Sequence, residues 1–95
     1  MDEQTKATVI LRLPSTLSAY SESKSQLLLY AETIEQVFDS LKQSYPLVWQ
    51  RLCDEEGQVR KQFRIFVNNQ LVTSTHDDGI VLKSGQEIIV LPILS

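Results

Sequence analysis

The sequence predicts an α+β domain in which one main helix packs against a mixed sheet of four to five strands. Three observations carry that reading. Several short segments alternate apolar and polar residues with a period of two. One longer segment repeats apolar residues at helical spacing behind a capping signal. Polar turns, some containing Gly or Asn, separate these segments. A chain of 95 residues, 42 % hydrophobic and 22 % charged, holds one domain with one core.

The first strand spans residues 7–13, where Ala7, Val9, Leu11 and Leu13 share one face and Thr8, Ile10 and Arg12 the other. Pro14 ends it, since proline cannot donate to a ladder. Residues 15–25 are rich in Ser and read as a loop or wide hairpin connection. Residues 27–30 form a second short strand. Thr33 then opens the helix with capping-box spacing to Gln36. Ile34, Val37, Phe38 and Leu41 line its inner face, and Glu35 and Lys42 complement its dipole. Pro46 starts a second short helical piece through Leu52, closed by Asp54-Glu55-Glu56-Gly57. Residues 62–67 alternate as a third strand, Asn68-Asn69 makes a tight turn, and residues 71–73 return. Lys83-Ser84-Gly85-Gln86 is a further turn. Residues 87–91 close the sheet, and their nearly continuous apolar run predicts a central strand covered on both faces.

The charge balance argues against a phosphate-binding domain: nine Lys and Arg face twelve Asp and Glu, a net charge of −3. The longest apolar runs, 27–31 and 88–94, fall far short of the ~18 residues of a membrane span. Neither nucleic acid nor membrane is therefore an expected partner. The single Cys53 cannot form an internal disulfide, and the N-terminus is acidic, unlike a signal peptide. A cytoplasmic domain is the expectation.

Catalytic signals are weak. His76-Asp77-Asp78 reads as a solvated loop, because zinc needs four converging ligands, or three and a water, and Cys53 and His76 are the only soft ones. Cys53 reads as a structural thiol and Arg60, Lys61 and Arg64 as a solvated strand face. The glycines are isolated, so there is no phosphate loop. Residues 88–95 stay apolar almost to the end, which fits either packing on the domain itself or insertion into a partner's groove. Pro92 predicts that the last residues leave the sheet as an extended tail over 92–95.

Several segments together resemble the MoaD/ThiS family of ubiquitin-like sulfur carriers. They are Leu11-Arg12-Leu13-Pro14-Ser15-Thr16-Leu17, the helix Thr33-Ile34-x-x-Val37-Phe38-x-x-Leu41 with Tyr45-Pro46, and Arg51-Leu52-x-Asp54-Glu55-Glu56-Gly57. Phe66-Val67-Asn68-Asn69 resembles the family's V-N-G or V-N-D turn, and residues 82–92 complete the match. The Leu-Pro elements and the helix–turn segment look closest to the branch that supplies sulfur for cysteine synthesis, with the molybdopterin-synthase small subunit next. The resemblance implies one ubiquitin-like β-grasp domain over residues 1–95. It implies a non-catalytic carrier with no cofactor of its own, whose partners are an E1-like adenylating enzyme and a sulfur-accepting synthase. It places partner contacts at Leu71 and Leu91, with Pro92, Ile93, Leu94 and Ser95 as the inserted arm. Strand parity adds Phe66 and Ile10 as outward apolar residues, with Arg64 and Arg12 as a polar rim or as solvated residues. The family's chains end in Gly-Gly, which this sequence does not contain. Residues beyond Ser95, a ubiquitin-like binding module or regulatory paralogue without carrier chemistry, and activation of a nonstandard C-terminus remain alternatives.

Overall fold

The computed structural model describes residues 7–72 and 80–93. Five strands form one sheet in the order β2-β1-β5-β3-β4: β1 Thr8–Arg12, β2 Gln26–Tyr30, β3 Phe63–Val67, β4 Gln70–Val72 and β5 Glu87–Pro92. β1 pairs antiparallel with β2 and parallel with β5, and β5 pairs antiparallel with β3. Helices α2, Ile34–Ser44, and α3, Pro46–Leu52, cover one face. The chain therefore has the β-grasp fold expected, with the last strand threaded between the first and the third.

The core follows from the periodicities. Val9, Leu11, Leu27, Leu29, Ile65, Val67, Ile88 and Val90 point inward from the sheet, and Ile34, Val37, Leu41, Val48 and Leu52 point inward from the helices. All are essentially buried. Ile80 and Leu82 add to the same core, and the Leu82 N–H donates to the Glu32 carbonyl at 3.0 Å. Asn68 and Asn69 both adopt positive φ, 53° and 66°, in the two-residue turn between β3 and β4, as asparagine tolerates. Gly85 has φ 86° in the turn before β5, where its N–H donates to the Thr8 carbonyl at 2.8 Å.

Four expectations are corrected. First, residues 15–25 are not an open loop. Ser15–Ser18 forms a helical turn, α1, followed by a 3₁₀ turn over Ala19–Ser21. Leu17, at 1 % exposure, is the apolar anchor that ties this polar segment to the core, and a lone leucine leaves no periodicity to read. Second, the capping box is displaced by one residue. Thr33 Oγ1 accepts from the Gln36 N–H at 3.2 Å, but Gln36 Oε1 accepts from the Glu32 N–H at 2.8 Å rather than from that of Thr33. Third, β5 is central but covered on one face only: Ile88 and Val90 are buried, while Ile89 and Leu91 are exposed. Fourth, Pro92 does not release the chain from the sheet. It pairs with Phe63, and the Ile93 N–H still donates to the Gln62 carbonyl at 2.8 Å. Ladder alternation then points the proline nitrogen toward the β1 side. The β1 pairing ends at Arg12 opposite Ile89, so the missing N–H leaves no β1 ladder bond unmade.

Candidate functional site: the open sheet face and the base of the C-terminal strand

The helices take one face of the sheet and leave the other to solvent. On that open face one row crosses all five strands: Gln26, Arg12, Ile89, Phe66 and Leu71 are successive cross-strand partners. Ile89, Phe66 and Leu71 form an apolar run along it. Leu91, 47 % exposed, lies on the same face of β5 two residues beyond Ile89 and opposite Arg64. Leu71, Leu91 and Phe66 are thus brought onto one surface, Phe66 as strand parity predicts and Leu71 and Leu91 as the family resemblance implies. Ile89 was hidden from the sequence reading by the apolar run 88–91. The signal that finds it is the parity of polar Glu87, which shares its face with Ile89 and Leu91.

The polar groups on this face differ in role. The Arg12 guanidinium grips Glu87 with two bonds, Nε to Oε1 at 2.9 Å and Nη2 to Oε2 at 3.1 Å. Both side chains are nearly half exposed, so the pair contributes about 0.2–1 kcal/mol and mainly fixes the β1–β5 edge of the patch. Arg64 is exposed beside Leu91. Arg60 instead turns away, donating from Nε and Nη2 to the Gln50 carbonyl at 3.2 and 3.1 Å.

At the end of β5 the tail begins over a groove of about 380 Å³ lined by Leu17, Tyr20, Arg51, Phe63, Pro92 and Ile93, among others. The Arg51 guanidinium stacks over the Tyr20 ring at 4.7 Å, a cation–π contact that sequence spacing gives no means of finding. Ile93 is part-buried here. Leu94 and Ser95, the remainder of the expected arm, lie outside the described residues, as do His76, Asp77 and Asp78.

Cys53 is 1 % exposed at the end of α3, and its N–H donates to the Trp49 carbonyl at 2.8 Å. Burial, reinforced by the neighbouring Asp54 charge, pushes its thiol up from 9.0 to about 12. A thiol so protonated is a poor nucleophile. Alkylation of the native chain by iodoacetamide at pH 8 should be at least tenfold slower than that of the denatured chain; equal rates would contradict this placement. The raised pKa also sets a pH dependence. The unfolded thiol ionises near 9 and the folded one near 12, so this group leaves stability intact below pH 9 and lowers it as pH rises from 9 toward 12.

A larger open pocket of about 610 Å³ adjoins Cys53, with Gln50, Asp54 and Arg60 among its walls. Two of its polar groups are already engaged: Asp54 Oδ1 accepts from the Glu56 and Gln58 N–H groups, both at 2.9 Å, and Arg60 donates to the Gln50 carbonyl. Among the described residues, no group of three or more His, Cys, Asp or Glu could hold a metal ion. Among them, too, no helix is long and apolar enough to cross a membrane.

The model of the ThiS family matches residues 11–95. No curated protein matches the sequence. Solved structures share the fold at low identity. The Mycobacterium tuberculosis antigen CysO superposes with a TM-score of 0.76 at 20 % identity, covering 90 % of this chain and 99 % of its own. SAMP1 of Haloferax volcanii gives 0.74 at 16 %, covering 94 % and 98 %. A chain of the Amycolatopsis orientalis BexX/CysO complex gives 0.75 at 18 %, covering 92 % and 97 %.

Proposed function

Because the chain belongs to the ThiS family, we propose that it is a ubiquitin-like sulfur carrier, acting through its C-terminal segment and not itself an enzyme. An E1-like enzyme uses ATP to convert the terminal carboxylate to an acyl-adenylate, releasing pyrophosphate. A sulfur nucleophile then displaces AMP, leaving a thiocarboxylate for a sulfur-accepting synthase. The carrier supplies the carboxylate and the surface by which both enzymes recognise it. The observation that carries this reading is continuity: the apolar run from Leu71 through Phe66 reaches Ile89, and Ile89 and Leu91 lie on β5, the strand that leads directly into the tail. An enzyme seated on the open face has the C-terminal segment within reach.

In this reading Leu71, Leu91 and Phe66 make the apolar contacts, Ile89 joins them, and Arg64 forms the polar rim. Pro92 and Ile93, still held along β3, form the base of the arm, and Leu94 and Ser95 continue it into the partner. The sequence resembles most the branch serving cysteine synthesis. Buried Cys53 supports a non-catalytic role, since its thiol is held protonated.

Titration of the ¹⁵N-labelled chain with a ThiS-family activating enzyme tests the surface. Amides of Phe66, Leu71, Ile89, Leu91 and Ile93 should shift together while those along α2 stay still. Perturbations confined to α2 and α3 would reject the open face as the docking surface.

A further inference from the structure

At the opposite edge of the sheet from Leu71, strand β2 turns backbone groups outward of which, among the described residues, the Tyr30 carbonyl is the one already engaged, and we propose that it pairs with the β2 strand of a second copy to form an antiparallel homodimer. This goes beyond the carrier reading and does not depend on it.

The ladder bonds establish which groups are free. The Leu13 N–H donates to the Ser25 carbonyl and the Ala31 N–H to the Ala7 carbonyl, both at 2.8 Å. Residues 25, 27, 29 and 31 therefore face β1, and Gln26, Leu28 and Tyr30 point their backbone N–H and C=O groups away from the sheet. Ser40 Oγ on α2 donates to the outward Tyr30 carbonyl at 3.2 Å. Among the described residues, nothing bonds to Leu28 on that side.

Natural sheets guard such edges with Lys, Pro, bulges or very short strands. β2 has none of these: it reads Gln-Leu-Leu-Leu-Tyr and pairs with β1 without a bulge over all five residues. Leu28 and Tyr30 are 64 % and 65 % exposed. The other edge strand, β4, is only three residues long.

A twofold axis through Leu28 makes this edge self-complementary. Leu28 then faces Leu28 of the second copy, and Gln26 faces the partner's Tyr30, so all three outward-facing positions meet outward-facing positions. Beyond the two ends of β2, Lys24 of one copy and Glu32 of the other bring opposite charges to each side of the axis, where Lys24 also lies 3.8 Å from its own Glu22. Two five-stranded sheets become one sheet of ten strands. Because β2 lies at the far edge from β4, the Ile89–Leu91 patch and both tails stay clear of the join.

Sedimentation equilibrium on the full chain tests this, with L28K and L28E beside it. Leu28 contributes little to the core, so both variants should retain the wild-type circular dichroism. The wild type should move from monomer toward dimer mass as concentration rises to about 1 mM, the range of a weak association. L28K alone and L28E alone should each remain monomeric, because like charges meet at the axis. Their equimolar mixture should recover the dimer, because the two introduced charges then meet with opposite sign. A wild type that stays monomeric throughout, an L28K chain that dimerises as the wild type does, or a mixture that fails to recover would each overturn the proposal. In the first case the edge would be left to a strand from another protein.

Discussion

L91E should weaken binding to the activating enzyme at least tenfold while leaving the fold intact. Leu91 sits where the open-face patch meets the base of the tail, two residues beyond Ile89 and opposite Arg64. A carboxylate there must be desolvated when a partner closes over it, and central apolar contacts dominate interface energetics at about 2 kcal/mol or more each. The same residue is nearly half exposed in the free chain, so folding stability should move by no more than about 0.5 kcal/mol. The control is Q43E on the exposed side of α2, away from the patch, which should bind as the wild type does. Calorimetric titration separates the two, and equal affinities for L91E and Q43E would remove the open face from the account.

L41A should cost about 2–5 kcal/mol of stability, the usual range for a buried leucine truncated to alanine. Leu41 is fully buried on the inner face of α2, where it packs into the single core. A domain of this size has a total stability of about 5–14 kcal/mol, so the loss is a large share of it. Urea unfolding should show a lower midpoint with an unchanged slope. A midpoint unmoved by the substitution would mean that α2 does not share the sheet's core.

These two residues also show what can be read from sequence and what cannot. Leu41 was legible because helical spacing is a local signal: Ile34, Val37, Phe38 and Leu41 fall on one stripe, and the structure buries all four. Phe66 was legible by strand parity, whereas Leu71 came only with the family resemblance; the two-residue Asn68-Asn69 turn sets the register that makes them partners. Ile89 was missed because an unbroken apolar run conceals its alternation, which becomes plain only when β1 and β3 flank β5 and the helices cover one side. Pro92 was misjudged for a similar reason. Whether a proline breaks a ladder depends on which neighbour its nitrogen faces, and β1 has already ended there. The Arg51–Tyr20 stack joins residues thirty-one positions apart, so no local pattern announces it. The free edge of β2 follows from strand order, a property of the assembled sheet that no single segment carries.

The central claim is that the C-terminal segment is a substrate for sulfur transfer, presented by the open sheet face. Intact-mass spectrometry tests it most directly. The chain is extended by Gly-Gly after Ser95 and incubated with a family activating enzyme, ATP and sulfide. The account predicts a product in which one oxygen of the terminal carboxylate is replaced by sulfur, formed only when ATP is present and strongly reduced in L91E. A mass that stays unchanged in the complete mixture, with an activating enzyme shown to be competent on a carrier of its own, would contradict it.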